Sequence, residues 1–222
     1  AARPEEAARQ LAQRVLREAQ RNTALVAGVG VALLAAGMHA ARGSPTTKEE
    51  GGGPLLTAMT WNLLARPFTK YNREHHRAPQ ALEDEAQTRQ RYTLAGEQIA
   101  TAACDLVLLQ ECEEAFFQEG WNSAAPKLLQ MYTVLPCRRE GAPGTAVLVK
   151  RGGRAQAASE RPLCVGGSEA TGGPSKVATV AAVRAGGRAV SVVSTHFAWD
   201  GAAEARLRHA ELIAAKLLGG GG

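Results

Sequence analysis

The sequence predicts an α/β domain behind an apolar amino-terminal segment, and three observations carry that reading. From Leu55 onward, short apolar runs of strand composition alternate with stretches of helical length. The run Asp105-Leu-Val-Leu-Leu-Gln-Glu-Cys-Glu113 is a buried strand that stops abruptly in polar, acidic residues. α/β enzymes commonly place metal ligands at such a strand end. Asn22 to Ala41 contains no charged residue.

Residues 1–21 are rich in Ala, Arg, Gln and Glu, with Leu11, Val15 and Leu16 apolar, and predict a short, mostly polar helix. Residues 22–41 predict a single transmembrane helix, because about 20 helical residues cross roughly 30 Å of hydrocarbon. Arg21 and Arg42 bracket the stretch like interface anchors. Gly28, Gly30 and Gly37 weaken a lone helix in water but let a second membrane helix approach closely. An organelle-targeting remnant and a buried helix of a water-soluble body are the other readings of this segment. Five Arg precede it and two basic residues follow before the domain, which puts the amino end on the cytoplasm-like side. The expectation is a single-pass protein of an organelle membrane, mitochondrial inner or thylakoid, touching other membrane subunits through residues 22–41.

Residues 42–54 read as a linker by their Gly, Pro, Ser and Thr content. The domain runs from 55 to 222. Thr57–Leu63 predicts a strand, and 66–84 an irregular polar stretch in which the neighbouring His75 and His76 read as solvated. Helices are expected over 85–102, with Leu94, Gln98 and Ile99 near one face, and over 113–130, with Phe116, Phe117, Leu128 and Leu129 in the core. Strands follow at 132–137 and 144–150, then a Gly-rich loop over 152–174. Strands over 176–183 and 188–196 flank Ala185-Gly-Gly187, a hairpin signal. Residues 202–218 predict a closing helix. The Ala1 start and the run Gly219-Gly-Gly-Gly222 read as cut ends.

Composition narrows the class. At 222 residues and 45% apolar the chain can bury a sizeable core. A net charge of +5 permits phosphate-bearing partners without requiring them. Cys104, Cys112, Cys137 and Cys164 form no CxxC pair, so neither a zinc site nor a dense disulfide framework is indicated, and free thiols in a reducing compartment are expected.

Three predicted strands end in Asn62, Glu111 and His196. A carboxylate such as Glu111 holds a hard cation such as Mg²⁺ through oxygen. Asn62 is a candidate to ligate it, or to steady a phosphate or its attacking water. His196 is a candidate catalytic donor to a phosphate oxygen as charge builds. Together they point to metal-assisted phosphoester hydrolysis. Each has a plain alternative: Asn62 ends a strand, Glu111 caps a helix, His196 is a satisfied half-buried histidine.

The same residues resemble the endonuclease/exonuclease/phosphatase superfamily, of DNase I-like fold, and within it the deadenylase and nocturnin-like branch. Thr60-Trp-Asn-Leu-Leu-Ala65 is similar to its opening strand. Arg91, Ile99 and Asp105–Glu113 follow its helix-to-strand signature, Gly144–Lys150 its central strand, and Thr195-His-Phe-Ala-Trp-Asp200 its Thr-His strand end. The likeness covers roughly residues 57–218. It implies a four-layer α/β sandwich, Glu111 as Mg²⁺ ligand, Asn62 beside metal and phosphate, and His196 on the scissile phosphate. Substrates implied are polynucleotides, poly(A) tails, phosphorylated nucleotides or phosphoinositides.

The family continues into a Gly-Asp-x-Asn strand and a Ser-Asp-His segment, and neither occurs in this sequence. The expected sandwich is therefore partial. Three functions follow as expectations. The first is a membrane-anchored Mg²⁺-dependent phosphoesterase. The second is a catalytically inactive accessory subunit of a large organellar membrane complex, with no cofactor. The third is a nucleic-acid-binding module without catalysis.

Overall fold

The computed structural model describes residues 31–36, 56–69, 83–139, 142–159, 161–165, 177–196 and 203–219. In chain order the elements are β1 (Val31–Ala36), β2 (Ala58–Asn62), α1 (Glu85–Ala102), β3 (Leu106–Cys112) and α2 (Ala125–Met131). β4 (Tyr132–Arg139), β5 (Ala142–Lys150), β6 (Ala155–Ala157) and β7 (Leu163–Val165) follow. β8 (Ala178–Ala185), β9 (Arg188–Thr195) and α3 (Ala203–Gly219) complete them.

All of β3 is buried, as a strand covered on both faces must be, and its Leu-Val-Leu-Leu run is accordingly continuous rather than alternating. It lies inside a sheet of order β2-β3-β5-β4, parallel to β2 and antiparallel to β5. A second sheet has the order β1-β9-β8-β6, with β7 also pairing β8. The two sheets meet face to face through Leu106, Leu108, Leu135, Val147 and Val149 on one side and Ala181, Val183 and Val192 on the other.

The alternate residues of the same strands face outward. Val107, Leu109 and Leu148 meet Tyr92 and Ile99 of α1 and Leu128 of α2. On the far side, Ile213 of α3 packs on Val165, Ala178, Val180 and Val193. Each buried Val, Leu or Ile among them contributes about 1.5–3 kcal/mol of transfer energy. Helices, sheet, sheet and helix thus form successive layers, and the period of two along each strand assigns its residues to alternate layers.

α1 begins where expected. Asp84 accepts from the Gln87 amide and the Gln87 side chain returns to the Asp84 amide, a reciprocal cap. Ala103, at φ 48°, ends it in the left-handed conformation. Its buried face is Thr88, Tyr92, Ala95, Gly96, Ile99 and Ala100. Leu94, placed near that face by the sequence, lies off this stripe and is exposed. The hairpin signal at Ala185-Gly-Gly187 forms as read, with both Gly186 and Gly187 at positive φ.

Several expectations are corrected. Residues 31–36, inside the expected transmembrane helix, are strand β1, paired antiparallel with β9 from Val31↔Thr195 to Ala36↔Val190. A short apolar run fits strand and helix alike, and here the β9 edge supplies the pairing partner that makes it a strand. No helix of the described residues is long and apolar enough to cross a membrane. The rest of 22–41, the helix expected over 1–21, the linker 42–54, and His75 and His76 lie outside the described residues.

The helix expected over 113–130 divides into a 3₁₀ turn at Glu114–Phe117 and α2, because Asn122 turns the chain by accepting the Ala124 amide and Pro126 sits in the first turn of the second piece. Leu129 is exposed while Phe116 and Leu128 are buried. The expected loop 152–174 contains β6 and β7. Cys137 of β4 and Cys164 of β7 are joined as a disulfide, where free thiols were expected, because β7 lies over β4 from the opposite sheet. Cys104 and Cys112 take part in no disulfide among the described residues.

Candidate active site

The pairing of β3 with β5 slips at its carboxyl end. Gln110 is opposite Thr145 and Cys112 is opposite Gly144, so Glu111 is the extra residue of a β-bulge. Its φ is +50°, a left-handed conformation that costs a residue with a Cβ about 1–2 kcal/mol. The bulge has a geometric consequence. Leu106 and Leu108 face the opposite sheet, and regular alternation would send Cys112 there as well. Cys112 instead joins the helix-side core. Glu111 is freed from the alternation and its carboxylate is turned to the strand ends.

Three groups meet that carboxylate. Asn62, at the end of β2, donates Nδ2 to Oε1 at 3.0 Å. The Ala65 amide donates to Oε2 at 3.0 Å. His196, the residue after β9, places Nδ1 3.3 Å from Oε1. The Asn62 side chain is fixed by its other end, since Oδ1 accepts the Leu64 amide at 2.9 Å. Leu64 is at φ 55°, which folds the 62–65 backbone back toward the site. The three residues singled out in the sequence therefore come together from three strands and two sheets. His196 is about a quarter exposed and Glu111 about a tenth, 23% and 10% by side chain, so the cluster sits at the rim of the sandwich.

A second ring of residues holds the backbone that supplies these groups. Arg91 of α1 donates to the Leu63 carbonyl and pairs with Glu83 at 2.6 Å. Glu113 accepts the Arg66 amide at 2.7 Å and the Tyr92 hydroxyl. Burial, the hydrogen bond to Glu113 and its charge push the Tyr92 phenol far above its ordinary value, so it stays a donor. Arg91 and Glu113 stand inside the sequence motifs. Nothing in the sequence marked Glu83, Tyr92 or the amides of Ala65 and Arg66, because a backbone donor has no residue signature.

A divalent cation of the Mg²⁺ class keeps several waters and takes one or two carboxylates, the rest coming from substrate phosphate. Glu111 is the carboxylate this site offers. The Asn62 oxygen accepts from the Leu64 amide, so the amide presents nitrogen rather than oxygen to Glu111. Among the described residues no group of three His, Cys, Asp or Glu could hold a metal ion. The donor set fits a cation bound mainly by water and phosphate, not a closed protein cage.

No family model and no curated protein matches the sequence. Solved structures similar in fold include ANGEL2, a 2′,3′-cyclic phosphatase, in complex with adenosine-2′,3′-vanadate. It is 19% identical over 65% of this chain and 42% of that chain, with a TM-score of 0.49. TDP2 from C. elegans is 15% identical over 67% of this chain and 37% of that chain, TM-score 0.47. Humanized D. rerio TDP2 is 15% identical over 67% of this chain and 49% of that chain, TM-score 0.46. The chain spans less than half the length of each of these structures.

Proposed function

We propose that this domain is a metal-assisted phosphoesterase, acting on a phosphate ester of a nucleic acid or a nucleotide. The observation that carries the reading is the convergence of Asn62 and His196 on the Glu111 carboxylate at the sandwich rim. In this reading Glu111 is the protein ligand of Mg²⁺, which when bound supplies Lewis-acid polarisation of the phosphoryl group. Asn62 holds the carboxylate in register. Glu111 orients His196 by accepting from Nδ1, which turns Nε2 toward substrate. Protonated there, the ring donates to a phosphate oxygen as negative charge builds on it.

Turnover of bis-p-nitrophenyl phosphate, labelled oligonucleotides and a 2′,3′-cyclic nucleotide, with and without Mg²⁺, tests this. Glu111→Gln and His196→Gln are each expected to lower kcat/KM by roughly 100-fold or more. Rates that survive both substitutions, or survive chelation of divalent cations, refute it.

A non-catalytic body is favoured by one observation: both Glu111 oxygens are already engaged by protein donors, Oε1 by Asn62 and His196 and Oε2 by Ala65. In that reading the domain is an accessory body of a larger assembly rather than an enzyme. Absence of any phosphate release, together with co-purification of membrane subunits that depends on residues 22–41, would favour it.

A further inference from the structure

Directly beneath the site, the gap between the sheets is filled by polar side chains where the rows below are apolar. Gln110, Thr145, Thr179 and Ser194 are buried, none more than 2% exposed. Gln110 is opposite Thr145 in one sheet, and Thr179 is opposite Ser194 in the other. Two sets of bonds cross the gap. Gln110 Nε2 donates to Ser194 Oγ at 3.2 Å, and Ser194 Oγ donates to the Leu109 carbonyl at 2.8 Å. The Thr145 and Thr179 hydroxyls meet at 2.8 Å, and Thr179 donates to the Thr145 carbonyl at 2.9 Å. The Gln110 amide also reaches Thr60 Oγ1 and the Leu108 carbonyl, each at 3.2 Å.

Burying an amide costs about 1–3 kcal/mol unless its bonds are replaced. The next row fills the same gap with Leu108, Val147, Ala181 and Val192 and bears no such cost. What a polar row adds is direction: apolar contacts tolerate sliding, whereas a hydrogen bond fixes both register and separation. The position of this row gives the direction a use. Gln110 immediately precedes Glu111, and Ser194 lies two residues before His196. Glu111 and His196 belong to different sheets, so their spacing is set by whatever locks β3 to β9 at this level.

We infer that Gln110 and Ser194 are positioning residues, a clasp between the sheets that sets the Glu111–His196 distance. Neither touches the carboxylate or the imidazole; each acts through the backbone it anchors. The catalytic consequence rests on the phosphoesterase reading, while the geometric claim does not. Thr145 and Thr179 make an equivalent tie between β5 and β8, which carry none of the three site residues, and so form an internal control.

Crystal structures and kinetics of Gln110→Leu, Ser194→Ala and Thr145→Val decide it. Folding survives each single change, since Ser194 keeps its bond to Leu109 when Gln110 is lost, and Gln110 keeps Thr60 and Leu108 when Ser194 is lost. Gln110→Leu and Ser194→Ala are expected to open the His196–Glu111 separation from 3.3 Å to beyond about 4 Å. Thr145→Val leaves it unchanged at a comparable loss of stability. With any phosphate ester the native chain hydrolyses, the first two lower kcat roughly 10- to 100-fold at nearly constant KM, and Thr145→Val does not. If the separation persists in Gln110→Leu and Ser194→Ala, or opens equally in Thr145→Val, the clasp is refuted. If the native chain hydrolyses nothing, the phosphoesterase reading fails and the separation alone judges the clasp.

Discussion

The carboxylate of Glu111 springs from a residue at φ +50° and is met by Nδ2 of Asn62 at 3.0 Å. Left-handed backbone at a residue with a Cβ persists only where its surroundings over-determine it, and it clusters at functional sites. Replacing Glu111 by Ala and by Gly separates the backbone from the side chain. Both remove the carboxylate, but Gly adopts positive φ without the Cβ penalty. The Gly variant is expected to be more stable than the Ala variant by about 1 kcal/mol or more in urea denaturation. Equal midpoints would mean that the bulge relaxes once the carboxylate is gone.

Asp105 secures the opposite end of β3. Its carboxylate accepts the Thr57 amide at 2.9 Å, the Thr57 hydroxyl at 2.8 Å and the Arg154 amide at 3.0 Å. Burial pushes this carboxyl up, but those bonds and the nearby Arg154 charge outweigh it and hold it below its ordinary 3.8. A lowered folded value means the folded state binds fewer protons than the unfolded chain. The stabilisation is complete above the unfolded value and is lost as pH falls through the folded one. Asp105→Asn is expected to cost about 1–3 kcal/mol near neutral pH, a difference that shrinks below pH of about 4. Denaturation midpoints of both proteins across that range measure it.

Gly96 is where α1 approaches the turn before α2. A Cβ at Gly96 would stand 2.8 Å from the Ala124 Cβ and 2.9 Å from Asn122 Oδ1. Asn122 is already committed, donating to the Phe116 carbonyl at 2.8 Å and accepting the Ala124 amide at 3.0 Å. Gly96→Ala gains helix propensity but overpacks this contact, and the clash is the larger effect. A net loss of about 1–3 kcal/mol is expected by chemical denaturation. A stabilised variant would show that the helix can shift outward.

β1 yields an expectation about exchange. Because Val31–Ala36 pairs with β9, backbone amides of this segment bonded to the neighbouring strand exchange slowly in lipid-free buffer. Removing residues 1–37 uncovers the β9 edge, so the denaturation midpoint falls and self-association rises. Exchange of 31–36 at unfolded-chain rates would refute the pairing of β1 with β9.

Much of this arrangement was legible because strand ends and helix caps are local. The helix over 85–102, the paired glycines of the β8–β9 hairpin and the apolar run of β3 each declare themselves within a few residues. So did Asn62, Glu111 and His196 as polar residues closing apolar strands. Leu94 and Leu129 were misassigned because apolar character does not say which side of a helix meets the sheet. Val31–Ala36 was misassigned because a short apolar run fits strand and helix alike until a partner edge is present.

The sequence by itself determined the succession of β2, α1, β3, β4, β5, β8, β9 and α3, the boundaries of α1 and the chemical types gathered at the strand ends, all consequences of short-range pattern and propensity. Only the tertiary structure decided that β3 and β9 lie across from one another in separate sheets. It also decided that a bulge turns Glu111 out of the alternation, and that Gln110 reaches Ser194 between the layers. These depend on contacts between residues far apart in the chain, and no local preference encodes the partner that a distant strand will provide.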